Sequence, residues 1–150
     1  MIDVSGVSVR LSGKTIVEDV GFTAASGKLT AIAGPNGSGK TTTMKAVSGE
    51  LPYNGSIRIN GEDVRGLQPY QLAAVRGVLP QASNISFPFT VREIVRMGLT
   101  SGLNRNPERA EQTAAKALSS VDLDGYEGRF YQHLSGGEQQ RVQLARVLCQ

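Results

Sequence analysis

Apolar and polar residues alternate along residues 2–11 and again along residues 15–24. A period of two is typical of strands that bury one face, and Ser12 and Gly13 between the two stretches favour a turn. We therefore predict a hairpin of half-buried strands at the start of the chain. A second, shorter hairpin is predicted where an Asn-Gly pair, the dipeptide preferred in tight turns, separates residues 56–59 from residues 62–64.

A short continuous apolar run, residues 29–33, departs from this alternation. Such a run predicts a strand that is buried on both faces. It leads into a glycine-rich loop and then into residues compatible with a helix, which Gly49 ends as a C′ glycine. The predicted order is strand, glycine loop and helix.

The second part of the chain favours helices. Thr90 with Glu93, and Ser135 with Glu138, match the S/T-x-x-E pattern of a capping box, and Asn106 before a proline is a favoured helix start. The helices are predicted over residues 69–76, over residues 90–99, from residue 107 until Gly125, and from residue 135 onward. A strand-rich part of about residues 1–80 thus precedes a helical part, within one domain of residues 1–150.

Composition excludes several classes of protein. The 150 residues carry a net charge of +3, and the basic residues are scattered rather than gathered with aromatics, so nucleic acid is not an expected partner. The sequence contains neither an apolar run of membrane-spanning length nor a signal-peptide pattern, so we expect a cytoplasmic location. The single cysteine, Cys149, is predicted to be a small buried hydrophobic residue.

Glycine is over-represented, with 18 residues, and three glycines fall in the segment GPNGSGKT of residues 34–41. This segment fits the pattern G-x-x-x-x-G-K-[ST] in the strand-to-helix setting that the pattern requires. Gly34, Gly37 and Gly39 can adopt backbone angles that other residues avoid, so successive N–H groups can turn inward around an anion. The alternative is a plain glycine turn before a helix.

The side chains that follow suit a polyphosphate. Lys40 would place its ammonium on the outer phosphates, the Thr41 hydroxyl would bind Mg²⁺, and Thr42 can donate to an inner phosphate. We therefore predict ATP and Mg²⁺ as ligands. The predicted nucleotide contacts of this phosphate loop are Gly34, Pro35, Asn36, Gly37, Ser38, Gly39, Lys40, Thr41 and Thr42.

A second predicted helix start could also bind an anion. Ser135 can cap the helix and donate, and Gly136 and Gly137 leave the backbone N–H groups open to a phosphate. A serine capping box with no ligand explains Ser135 and Glu138 equally well. The length of the segment LSGGEQQR, residues 134–141, favours a role beyond capping.

LSGGEQQR resembles the signature motif of the ATP-binding-cassette (ABC) ATPases. GPNGSGKTT, the glutamine of VLPQ and the order of the three motifs are also similar to that family, over all 150 residues. The resemblance implies an α/β P-loop fold with an antiparallel β subdomain within about residues 1–80, a helical subdomain of about residues 81–135 and a signature helix over residues 135–150, the core sheet being incomplete.

The resemblance also implies that two copies enclose ATP between the phosphate loop of one and the signature helix of the other. Ser135, Gly136, Gly137 and Gln139 would contact the partner's nucleotide. Gln81 matches the glutamine that reaches Mg²⁺ and the attacking water, so the implied metal ligands are Thr41 and Gln81.

Two further segments, VLPQASNISFPFTVREIVRMG and RVQLARVL, are most similar to the haem (hemin) importer branch of the family. This implies a homodimer on the cytoplasmic face of the plasma membrane, with two permease subunits and a substrate-binding protein. Ferric-siderophore or cobalamin import is the alternative within transport, and a non-transport ABC ATPase is the alternative of another class.

Two departures from the family pattern affect these expectations. The family usually stacks an aromatic residue of the first hairpin on adenine, and the nearest matching position in this sequence is Leu11. After the phosphate loop, no run of four apolar residues precedes an acidic residue, and His133 lies before the signature. The resemblance implies that the hydrolytic carboxylates and the switch histidine follow residue 150. We expect residues 1–150 alone to bind ATP poorly, to aggregate and not to turn over.

Overall fold

The computed structural model describes residues 1–80, 85, 87–99 and 106–150, so Gln81 lies outside the described residues. The chain forms two compact units, Met1–Val75 and Arg76–Gln150. Each unit has its own apolar core.

The first unit is built on a four-stranded antiparallel sheet in the order β2-β1-β3-β4. Its strands are β1 (Ile2–Leu11), β2 (Lys14–Ala24), β3 (Asn54–Ile59) and β4 (Glu62–Asp63). β1 with β2, and β3 with β4, are the two hairpins that the alternation and the Asn-Gly pair predict. Both hairpins are therefore confirmed, with strand ends shifted by one or two residues.

Helix α1 (Lys40–Val47) contributes its apolar side to the core of this unit. Ala46 and Val47 join the cluster formed by the inward-facing valines of β1. The helix ends at Val47 with Ser48 as its C-cap, and Gly49, at a φ of 76°, follows in the predicted C′ position. A second helix, α2 (Pro69–Val75), buries Leu72 in the same core.

The predicted buried strand at residues 29–33 is wrong. No strand forms there, Leu29 is 98% exposed, and only Ile32 in this run is partly buried. A strand buried on both faces needs backbone partners beside it and apolar layers above and below. In the described part of the chain, the named strands pair with one another in the antiparallel sheet and leave this run unpaired.

The second unit packs three helices, α3 (Val91–Arg96), α4 (Pro107–Ser119) and α5 (Gly136–Leu148). Their buried apolar faces form a single cluster. Gly98 lies so close to α5 that a Cβ there would overlap the carbonyl oxygen of Arg146. Cys149 is 2% exposed, as predicted, and burial raises the pKa of its thiol.

Candidate functional site

The start of α1 differs from the starts of the helices in the second unit. Thr90, Asn106 and Ser135 each precede a helix and accept hydrogen bonds from its first turn. Gly39 precedes α1 and, having no side chain, provides no such acceptor. Because the first N–H groups of a helix have no carbonyl partner within it, the start of α1 presents uncapped donors at a positive helix terminus. An anion is the ligand that this arrangement favours.

The glycines of the phosphate loop have geometric reasons to be glycine. Gly37 and Gly39 have φ angles of 82° and 88°. These angles lie in the left-handed region, where residues with a side chain are strained. A Cβ on Gly39 would also come within 3.0 Å of the carbonyl oxygen of Ile16 and of Val17 Cγ2. The loop therefore passes directly against β2, and its shape depends on residues without side chains.

Lys40 bridges the loop from its own helix. Its Nζ donates to the carbonyl oxygens of Gly34 at 2.8 Å and Pro35 at 2.6 Å. Two carbonyl dipoles hold the ammonium in position, and a phosphate, with a full negative charge, is a stronger acceptor for the same group. The ammonium is thus held at the loop by the protein itself.

The three threonines after Lys40 differ in their partners. Thr43 is buried and its Oγ1 donates to the carbonyl of Gly39 at 3.0 Å, so this hydroxyl supports the helix. Thr41 is exposed and Thr42 is half-buried. Ligand contacts of Thr41 and Thr42 stay a prediction.

The residues present fit a magnesium ion that is held mainly through phosphate. Mg²⁺ in nucleotide sites takes one or two protein oxygens, several waters and phosphate oxygens. The exposed Thr41 hydroxyl can supply one such oxygen. Over the residues that the structure describes, no group of three or more His, Cys, Asp or Glu side chains is placed to hold a metal by itself.

The cavity that the structure describes beside the phosphate loop is small and open. Beside the loop, between β2 and α1, lies an open cavity of about 150 Å³ with Phe22 and Ile32 on its apolar side and Lys40 on its polar side. Pockets that bury a ligand of nucleotide size are roughly 300 to 1,000 Å³. Leu11, at the end of β1, is half-buried against the core of the same unit. A nucleotide on this loop would therefore keep part of its surface open to a second partner.

The signature segment begins α5 with a complete capping box. The backbone N–H and the hydroxyl of Ser135 both donate to Glu138 Oε2, at 2.8 and 2.7 Å, and the N–H of Glu138 donates back to Ser135 Oγ at 3.4 Å. The phenol of Tyr126 donates to the other carboxylate oxygen, Oε1, at 2.9 Å. Ser135 itself remains exposed.

Among the residues that the structure describes, none packs against Gly136 or Gly137 in a way that requires glycine. Both are exposed, neither has a positive φ, and a Cβ built on either would meet nothing within 4 Å. Glycine lowers helix stability relative to alanine, so these two residues carry a cost that internal packing does not explain. The two exposed glycines leave the first backbone N–H groups of α5 open to an outside group, and a phosphate contact there stays a prediction.

Gln139 has a structural role. Its Nε2 donates to the carbonyls of Tyr131 and Leu134, at 3.1 and 3.2 Å, and so ties α5 to the short 3₁₀ turn Tyr131–His133 before it. The predicted contact of Gln139 with nucleotide stays a prediction. The sequence does not predict the contact between Tyr126 and Glu138, because the two residues are 12 positions apart and no short pattern links them.

Acid should weaken this network. Donation from the Ser135 hydroxyl, then from its N–H and from Tyr126, lowers the pKa of Glu138 from 4.5 to about 2. Because the folded pKa is lowered, the stabilisation is fully present above pH 4.5 and is lost as pH falls toward 2. We expect NMR titration of the Glu138 carboxyl to show a midpoint near 2, and Glu138→Gln to reduce stability at pH 7 but not at pH 2. Unchanged pH dependence of unfolding in this variant would contradict the assignment.

The geometry can be compared with known proteins. A family model described as ABC transporter matches residues 17–150, and this range includes both the phosphate loop and the signature segment. The chain belongs to the ABC transporter family.

Curated relatives of this ABC protein share most of its sequence. The hemin import ATP-binding protein HmuV of Rhizobium leguminosarum is 81% identical over 150 residues, and the protein of the same name from Rhizobium meliloti is 59% identical over 151 residues. In both cases the match covers 100% of this chain and 57% of the relative. The chain thus spans little more than half the length of these relatives.

Solved structures show the same fold. An ATP-binding cassette of an ABC transporter aligns with a TM-score of 0.84 at 24% identity, over 99% of this chain and 64% of that one. A bacterial Atm1-family ABC exporter with ATP bound aligns with a TM-score of 0.81 at 26% identity, over 99% of this chain and 27% of the exporter. The fold is that of an ABC ATPase, here with an antiparallel sheet and a helical unit. Within the described ranges, no helix has both the length and the apolar character needed to cross a membrane.

Proposed function

We propose that this chain is part of the ATP-binding subunit of an ABC importer that couples ATP binding and hydrolysis to hemin uptake. The observation that carries the ATPase assignment is the start of α1, which has no side-chain cap and has the Lys40 ammonium held beside it at the phosphate loop. The capped start of α5 adds two exposed glycines with nothing near their Cβ positions among the described residues. The relatives named for hemin import support the cargo.

The phosphate loop would bind the nucleotide first. Its backbone N–H groups and the Lys40 ammonium would neutralise the phosphates, with Lys40 exchanging the carbonyls of Gly34 and Pro35 for phosphate oxygens. Thr41 would hold Mg²⁺, which would supply positive charge at the phosphates. Gln81 is proposed to reach the same metal and the attacking water.

The signature segment would complete the site from a second copy of the chain. Ser135, Gly136 and Gly137 would donate to the outer phosphate of the nucleotide on the partner's phosphate loop. The small, open cavity beside that loop supports this proposal, since a nucleotide held there would not be fully enclosed. The expected assembly is a homodimer on the cytoplasmic face of the plasma membrane, with two permease subunits and a substrate-binding protein.

Transport by the full-length polypeptide tests the cargo. With its permease and binding protein in proteoliposomes that enclose ATP, we expect uptake of hemin, and no uptake with Lys40→Ala. Lys45→Ala, an exposed lysine of the same helix, is the control. Uptake of a ferric siderophore or cobalamin in place of hemin would replace the cargo assignment. Failure to co-purify with any multi-span permease would favour a non-transport ABC ATPase.

A further inference from the structure

The two capping boxes of the second unit provide an internal comparison. At α3, the N–H and hydroxyl of Thr90 donate to Glu93 Oε2, both at 2.7 Å, and the N–H of Glu93 donates back at 3.3 Å. The box at α5 has the same three bonds at nearly the same lengths. The hydrogen bond from Tyr126 to Glu138 is the difference, because within the described ranges Glu93 receives donors from Thr90 alone.

Tyr126 is held in place independently of Glu138. Its N–H donates to the carbonyl of Leu123, and the guanidinium of Arg129 lies over its ring at 3.8 Å from the centroid. The backbone of the same segment is tied to the start of α3, since the N–H of Val91 donates to the carbonyl of Arg129. The phenol therefore reaches Glu138 from a fixed position.

A third donor is not needed for capping, since α3 is capped without one. A third donor to the carboxylate has an effect only where the capping hydroxyl also donates to a second acceptor. Ser135 Oγ has one hydrogen, which it donates to Glu138. To donate that hydrogen to a phosphate, Ser135 must release Glu138, and a carboxylate that loses a donor resists the change.

We propose that Tyr126 is a positioning residue of the signature site: it keeps Glu138 hydrogen-bonded when the Ser135 hydroxyl turns from the carboxylate to the phosphate of a nucleotide. After that rotation Glu138 still accepts from the Ser135 N–H on Oε2 and from Tyr126 on Oε1. The hydroxyl is thus free to bind at lower cost. Thr90 in α3 has no such second acceptor, and its box has no tyrosine.

This proposal rests on the proposed function, in which Ser135 contacts a partner's nucleotide. The test is a double-mutant cycle on the full-length polypeptide, with dimerisation driven by a slowly hydrolysed ATP analogue and measured by sedimentation. Ser135→Ala is expected to weaken this dimerisation about 10- to 150-fold, and Tyr126→Phe about 2- to 10-fold. In the Ser135→Ala background, Tyr126→Phe should add no further loss, because the hydroxyl that it assists is gone.

Two further variants separate positioning from folding. Glu138→Gln added to Tyr126→Phe should restore dimerisation, because a neutral amide oxygen holds the serine hydroxyl less strongly than a carboxylate. Tyr70→Phe, an exposed tyrosine of the first unit, is the matched control and should leave dimerisation unchanged. If thermal denaturation shows that Tyr126→Phe is misfolded, the single variant Glu138→Gln decides the question. A loss of dimerisation in Glu138→Gln as large as that in Ser135→Ala overturns the proposal.

The outcomes distinguish a failure of the proposed function from a failure of the role proposed for Tyr126. If Ser135→Ala leaves nucleotide-driven dimerisation intact, the signature segment does not contact the nucleotide and the proposed function fails. If Ser135→Ala weakens dimerisation but Tyr126→Phe has no effect, or the same effect in both backgrounds, Tyr126 is not a positioning residue and the proposed function stands.

Discussion

Lys40→Ala is expected to weaken ATP binding by the full-length polypeptide by roughly 10- to 150-fold. Loss of a hydrogen bond to a charged group costs about 1.5 to 3 kcal/mol, and each 1.4 kcal/mol is a factor of ten in affinity. The structure favours the lower half of this range, because the ammonium must leave the carbonyls of Gly34 and Pro35 to reach a phosphate. Titration with a fluorescent ATP analogue measures the change.

Lys45→Ala is the matched control for charge. Lys45 lies in the last turn of the same helix, exposed and away from the loop. The substitution removes one positive charge from α1 and leaves the phosphate loop unchanged. The affinity for ATP should therefore stay within about twofold of the original, which is less than 0.5 kcal/mol. Equal losses in the two variants would mean that general charge, and not the position of Lys40, attracts the nucleotide.

Gly136→Ala and Gly137→Ala are expected to act in opposite directions on stability and assembly. Each should leave folding unharmed or stabilise α5 by up to about 1 kcal/mol, since a Cβ there meets nothing and alanine favours a helix. Each should weaken ATP-driven dimerisation roughly 10- to 100-fold, because the methyl group separates a phosphate from backbone N–H donors. Thermal unfolding and sedimentation of the same preparations measure the two effects.

Gly128→Ala is the control for these variants. Gly128 precedes the signature segment in the same unit, has no positive φ, and a Cβ there also meets nothing within 4 Å. It should therefore change neither stability nor dimerisation by more than a small amount. If the alanines at Gly136 and Gly137 stabilise the protein and dimerisation persists, the two glycines do not face a nucleotide.

Local patterns in the sequence correctly predicted the local structure. Both hairpins, the helix after the phosphate loop and the capping boxes at Thr90 and Ser135 form as expected. Each depends on residues that are close along the chain: alternation of side chains, a turn dipeptide, or a hydroxyl and a carboxylate three positions apart. Such features need no distant partner to form.

Long-range partners decided the rest. The apolar run at residues 29–33 has the composition of a buried strand, but strand pairing requires a neighbour that composition does not provide. The amide nitrogen of Gln139 donates to the turn before α5, a bond that the motif does not show, and its nucleotide contact stays a prediction. The bond from Tyr126 to Glu138 joins residues that no short pattern relates.

The sequence by itself determined the two helix starts and the residues that fit a phosphate at each, because glycines, hydroxyls and the lysine act within one turn of the backbone. Only the tertiary structure decided which of those groups are already occupied. Lys40 is held by loop carbonyls, the Gln139 amide by the carbonyls of Tyr131 and Leu134, and Glu138 by the Tyr126 phenol in addition to Ser135. Hydrogen-bond partners depend on distances between atoms, and those distances are fixed only when the chain has folded.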